Sequence, residues 1–165
     1  MARRPAEPRR EAVTVSVVNR QRRIRVAASW IVRIVRGTLA AERVALAEIG
    51  VTLVDDRRIA RLHAEWFDDP TATDVITFPL SGAADPVLAG DLVVSAETAR
   101  RRAREFGWAP RHELAYYVVH GLLHLTGHDD TQPAARRTMR ARERSVMRAV
   151  GLPPPPRRPT PGRHA

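Results

Sequence analysis

Between residue 12 and about residue 150, stretches of period two give way repeatedly to stretches of helical period. Residues 12–18 alternate β-branched with polar side chains and predict a strand. Ile31, Ile34, Val35 and Leu39 fall on one face of a helix predicted over 26–42. Residues 44–54 predict a second strand, with Gly50 as a candidate break. Asp55 or Asp56 caps the next helix, which carries Ile59, Leu62 and Trp66 on one side. Short strands follow at 73–78 and 91–94. Ser95 then caps a helix reaching Phe106, with Glu97 in the first turn, where the dipole favours an anion. Pro110 opens a helix continuing to Gly127, and a basic helix spans 133–150. Strands and helices intermix without strict βαβ alternation. This predicts an α+β fold: one domain with a small mixed sheet of about four strands covered by about five helices.

Both ends differ from this body. Residues 1–11 and 153–165 are rich in Pro and Arg, with four prolines in a row from Pro153, and are expected to be disordered basic tails around a domain at 12–152. Residues 1–25 carry eight Arg and two Glu, residues 131–165 nine Arg and one Glu, so the +10 net charge sits at the two ends around a mildly acidic middle. That distribution fits a polyanionic partner such as nucleic acid, although all 28 basic residues are Arg, as GC-rich coding alone also produces. No run of about 18 apolar residues occurs and no apolar segment follows the basic N-terminus, so a cytoplasmic protein with no membrane span is expected. Without cysteine, any metal must be held by His, Asp or Glu.

The chemistry concentrates in the predicted helix from Pro110. His120 and His124 are four apart and share one helix face among Val118, Val119, Leu122, Leu123 and Leu125. Imidazoles in an apolar wall cost free energy unless their ring nitrogens find partners, and a metal supplies one partner to each. Gly127 ends the helix, and His128, Asp129 and Asp130 follow where a reversing chain can face the same pocket. Two ligands from a helix and one from the next turn leave a position open for water, the arrangement of catalytic zinc. The residue after the first His, the general base of helix-borne zinc proteases, is Gly121 here. Glu113, two helical turns before His120, is a candidate carboxylate to orient it, or a surface ion pair.

The segment His120-Gly121-Leu122-Leu123-His124-Leu125-Thr126-Gly127-His128-Asp129-Asp130 resembles the signature of the YbeY-type endoribonucleases, the ribosomal RNA maturation factors. Thr73-Asp74-Val75-Ile76-Thr77-Phe78-Pro79 and Gly90-Asp91-Leu92-Val93-Val94-Ser95 are similar to two further elements of that family, in the same order. The resemblance covers roughly residues 12–152. It implies an α+β fold, one zinc ion per chain, hydrolysis of single-stranded RNA by water activated at a His120-bound zinc, and a role in 3′ maturation of small-subunit ribosomal RNA and in ribosome quality control.

Two departures qualify it. Where the family commonly has a third His, this chain has Asp130, which can also ligate zinc, with His128 as the competing third ligand. After Trp66, where the family often has an Arg, stands Phe67, which can stack on a base but cannot neutralise a phosphate. Two other readings therefore remain: a zinc hydrolase of peptides or small molecules, and a non-catalytic ribosome assembly factor with structural zinc.

Overall fold

The computed structural model describes residues 12–158. The elements run β1 (Val13–Asn19), α1 (Ala28–Ala41), β2 (Ala47–Val54), α2 (Asp56–Phe67), β3 (Val75–Pro79), β4 (Leu88–Ser95), α3 (Ala96–Phe106), α4 (Pro110–Leu125) and α5 (Pro133–Ala149). The four strands lie in the order β1-β2-β4-β3, with β1, β2 and β4 parallel and β3 antiparallel at the edge. This is the expected α+β arrangement. Pro79 ends the edge strand, where its missing N–H is tolerated.

Alternation along the strands separates two apolar layers. Ile49, Val51, Leu53, Leu92 and Val94 join the large core beneath α1 and α4, whereas Ile76 and Val93 meet Ile59 of α2 on the other face. Strand β2 is continuous through Gly50, so the expected break is absent. A Cβ there would stand 2.2 Å from Asp91 Oδ1, and Gly50 pairs with Asp91 across the ladder; the glycine makes room for that carboxylate. Helix α4 is apolar on nearly every side because it is enclosed by α1, α3, α5 and the sheet. Gly121 permits its approach: a Cβ would lie 2.8 Å from Leu92 Cδ2 and 3.2 Å from Val75 Cγ2.

The expected tail from 153 begins differently. Pro155 is buried, and the Arg158 guanidinium lies over the Phe106 and Tyr116 rings, 4.3 and 4.4 Å from their centroids. The ring faces of Phe106 on α3 and Tyr116 on α4 give this stretch a packing partner that its composition does not reveal. The expected tails at 1–11 and 159–165 lie outside the described residues.

Asp55 caps α2 by accepting from the Arg58 N–H at 2.8 Å. Asp56 does something else. It accepts from Ser95 Oγ and Thr98 Oγ1, both at 2.6 Å, and from Arg101 Nη1 at 2.8 Å, joining the start of α2 to the start of α3. Burial pushes its pKa up, but these three donors outweigh burial and hold it below the usual aspartate value. A depressed folded-state pKa contributes stability above the unfolded value that is lost as pH falls through the folded one. Asp56→Ala should therefore cost roughly 1.5–3 kcal/mol at neutral pH, with the gap to the unsubstituted protein narrowing below about pH 4, as read by urea unfolding across pH.

Candidate metal centre

Helix α4 ends in a turn that brings its downstream residues back to its own face. Gly127 takes φ 101°, its N–H donates to the His124 carbonyl at 3.1 Å, and the His128 N–H donates to the Leu123 carbonyl at 2.9 Å. These are the two bonds of a Schellman cap, whose left-handed residue favours glycine. The reversal returns Asp130 to the histidines. Its Oδ2 lies 3.8 Å from His120 Nε2 and its Oδ1 3.6 Å from His124 Nε2. His120, His124 and Asp130 thus bring one ligand atom each within 4.8 Å of one another, a group able to hold a metal ion.

The outer nitrogens fix the ring orientations. His120 Nδ1 lies 2.6 Å from Glu143 Oε1, and His124 Nδ1 lies 3.1 Å from the His128 carbonyl oxygen. A carbonyl oxygen and an ionised carboxylate only accept, so both Nδ1 atoms carry the proton and both Nε2 atoms present lone pairs. Those lone pairs face each other at 3.2 Å. A cation between them satisfies both: one shared proton, or a metal. Two nitrogens on a tetrahedral ion at 2.0–2.1 Å would be separated by about 3.3 Å, so the spacing and the His–His–Asp donor set both fit zinc.

Glu143 is the orienting carboxylate, and the sequence reading missed it. Nearly buried on α5, it accepts from His120 through one oxygen and from the Tyr116 hydroxyl, at 3.0 Å, through the other. Glu113, expected in that role, points elsewhere. It is fully buried and accepts from Trp108 Nε1 and Arg158 Nη2, both at 2.6 Å, which excludes the surface ion pair as well. His128 does not compete for the centre through its ring, because its Nε2 lies 2.7 Å from Glu42 Oε2. Arg142 binds the same carboxylate and also donates to the Ala41 carbonyl. What His128 contributes to the centre is its carbonyl. Two sequence signals pointed to Glu143 only weakly: a single acid amid the arginines of α5, and a spacing of 23 residues from His120.

A cavity of about 400 Å3 opens beside the centre, lined by Tyr116, His120, Asp130, Arg136, Arg140 and Glu143 among others. A larger cleft of about 550 Å3 near Glu42 and Asp85 contains no imidazole, so the reactive groups converge on the smaller one.

A family model described as Endoribonuclease YbeY matches residues 15–151. The chain belongs to this family. Curated relatives named Endoribonuclease YbeY include one from Anaeromyxobacter sp. (strain Fw109-5), 49% identical over 116 residues, or 69% of this chain and 60% of the relative. One from Myxococcus xanthus is 37% identical over 146 residues, covering 85% of this chain and 48% of the relative. One from Moorella thermoacetica is 39% identical over 131 residues, covering 73% and 84%. The chain spans about half to three-fifths of the length of the first curated relatives it matches. A solution structure of a Thermotoga maritima protein shares the fold, with a TM-score of 0.61 and 21% identity over 83% of this chain and 89% of that one.

The two departures from the YbeY pattern have distinct settings. Asp130 stands with the histidines, as described. Phe67 is exposed in an aromatic patch on the α2 side, its ring 5.5 Å from His63 and 6.5 Å from Phe78 between centroids. Burial opposes the His120 imidazolium, yet the Glu143 hydrogen bond and charge, aided by Asp74 and Asp130, outweigh it and raise the ring's pKa above the ordinary histidine value. A proton favoured on His120 competes with a metal, so divalent-metal affinity should fall as pH drops through the raised value. Glu143→Gln should weaken zinc binding about 10–100-fold at neutral pH and move the onset of acid competition to lower pH. Chelator competition at several pH values measures both.

Proposed function

We propose that this chain is a zinc-dependent endoribonuclease that hydrolyses single-stranded RNA in 3′ maturation of small-subunit ribosomal RNA and in ribosome quality control. The observation that carries the reading is the pair of Nε2 lone pairs facing each other beside Asp130, at the edge of a cavity with an arginine wall. Zinc held by His120, His124 and Asp130 would supply a Lewis acid for a phosphodiester and its attacking water. The chain's own contribution is orientation. Glu143 and the His128 carbonyl hold the two rings with Nε2 inward, and the Schellman turn holds Asp130 against them.

Membership of the YbeY family supports an RNA substrate, and the relatives' printed name is Endoribonuclease YbeY. The +10 net charge suits a polyanion, and the ribosomal setting rests on the motif resemblance. No described helix is long and apolar enough to cross a membrane, which accords with action on ribosomes in the cytoplasm. Peptide hydrolysis is disfavoured at Gly121: a protease base there would have to displace Leu92 and Val75.

Zinc-loaded protein should cut single-stranded RNA, and His120→Ala should lose about a thousandfold or more of that rate while remaining folded, since a metal centre supplies several kcal/mol of charge stabilisation. A gel assay with labelled RNA reads this. Equal cleavage by both proteins, or none by the loaded unsubstituted one, would overturn the assignment.

A further inference from the structure

Three arginines reach the cavity beside His120: Arg136, Arg140 and Arg158. Two are already committed. Arg136 Nε donates to the Asp130 carbonyl at 3.1 Å and so steadies the metal-ligand turn. Arg158 binds Glu113 and stacks on Phe106 and Tyr116. Arg140 is half-buried, yet it has no hydrogen-bond or ion-pair partner among the described residues. The nearby acid one turn along α5, Glu143, has both oxygens engaged by Tyr116 and His120. Asp130 faces the histidines. A guanidinium presents a planar fork of donors that suits an oxyanion bidentately, and here no acceptor among the described residues binds it.

Arg140 also lines a second cavity, of about 250 Å3, between α5 and residues 155–158. The two cavities share Tyr116, Arg140, Glu143 and Arg158, so they adjoin along one wall. Arg144 and Arg157 extend the positive charge there, and Arg144 Nη1 donates to the Pro155 carbonyl at 3.2 Å, tying the wall to α5. The result is a groove with cations along its length that leads away from the histidines.

We infer that Arg140 binds a phosphate of the RNA next to the reacting one, and that the groove between α5 and residues 155–158 carries the strand away from the centre. This rests on the ribonuclease reading. It also places a phosphate-neutralising cation on α5, in a chain whose position 67 holds an uncharged ring.

Binding of a fluorescent 2′-O-methyl oligouridylate, which lacks the 2′-hydroxyl, measured by anisotropy over a range of salt with the zinc-loaded protein, tests this. Arg140→Gln should weaken binding about tenfold and reduce the salt slope by about one. Arg140→Lys should recover part of the affinity but not all of it. Arg137→Gln, at an exposed α5 position outside both cavities, should change binding far less. Zinc affinity and thermal midpoint should be unchanged in all three. The inference is overturned if Arg140→Gln matches the unsubstituted protein or Arg137→Gln, or if the oligonucleotide does not bind. Failure of the ribonuclease reading is distinguishable: the oligonucleotide would then bind in an Arg140-dependent way while RNA stays uncut.

Discussion

Two imidazoles on a helix enclosed by other elements bring four ring nitrogens into the protein, and each needs a partner. Much of the local architecture answers that requirement. One nitrogen engages Glu143 and so sets the place of α5 against α4. Another engages the His128 carbonyl, which can be where it is only because Gly127 turns the chain back at the helix end. The remaining two face one another, and no neutral pairing satisfies both. A cation is the simplest group that completes the set. The candidate metal centre and the packing of α4 are therefore one problem with one solution.

The sheet side of α4 imposes the opposite demand, for closeness without polarity. Gly121 lies where β3 and β4 press on the helix, and Gly90 of β4 lies where a Cβ would meet Leu125 at 2.7 Å. Two glycines on facing elements let the helix settle low on the sheet, with His120 at the cavity edge and both histidines partly exposed, at 20% and 30%. A helix standing further off would leave a void below Leu92 and Leu122. The glycine at the position after the first histidine thus has a packing cause.

Arginine stands at every one of the 28 lysine-or-arginine positions, yet its copies are not equivalent. Arg142 holds Glu42, which in turn engages His128. Arg158 holds the fully buried Glu113 and packs on two aromatic rings. Arg101 holds Asp56 at the junction of α2 and α3. Each of these commits its charge to a carboxylate of the protein. Arg140 differs in having no such partner among the described residues while facing the cavity. Net charge describes the whole population, but local recognition depends on where a guanidinium without an internal acceptor faces.

Patterns of short range were legible in the sequence. Period two and period 3.6 placed all four strands and five helices, because burial of one face acts on neighbouring residues. Asp55, Ser95, Pro110 and Gly127 marked helix ends because capping is local chemistry. The His120–His124 pair and the turn to Asp130 were legible for the same reason, with every member lying within eleven residues. Gly50 misled, since a glycine that accommodates a cross-strand carboxylate looks like one that breaks a strand. The choice of orienting carboxylate was not legible. Glu113 sits on the histidines' own helix, but Trp108 and Arg158 claim it, and the group that reaches His120 comes from α5. The ordering of residues 153–158 was hidden too, because a Pro- and Arg-rich stretch packs only where rings and a buried acid await it. The sequence by itself determined the elements, the caps at Asp55 and Ser95 and the inward-facing pair His120 and His124, all set by contacts between near neighbours. Tertiary structure alone decided which acid orients the histidine, which arginines are consumed and which one is left facing the cavity, because those depend on side chains that meet only when distant elements pack.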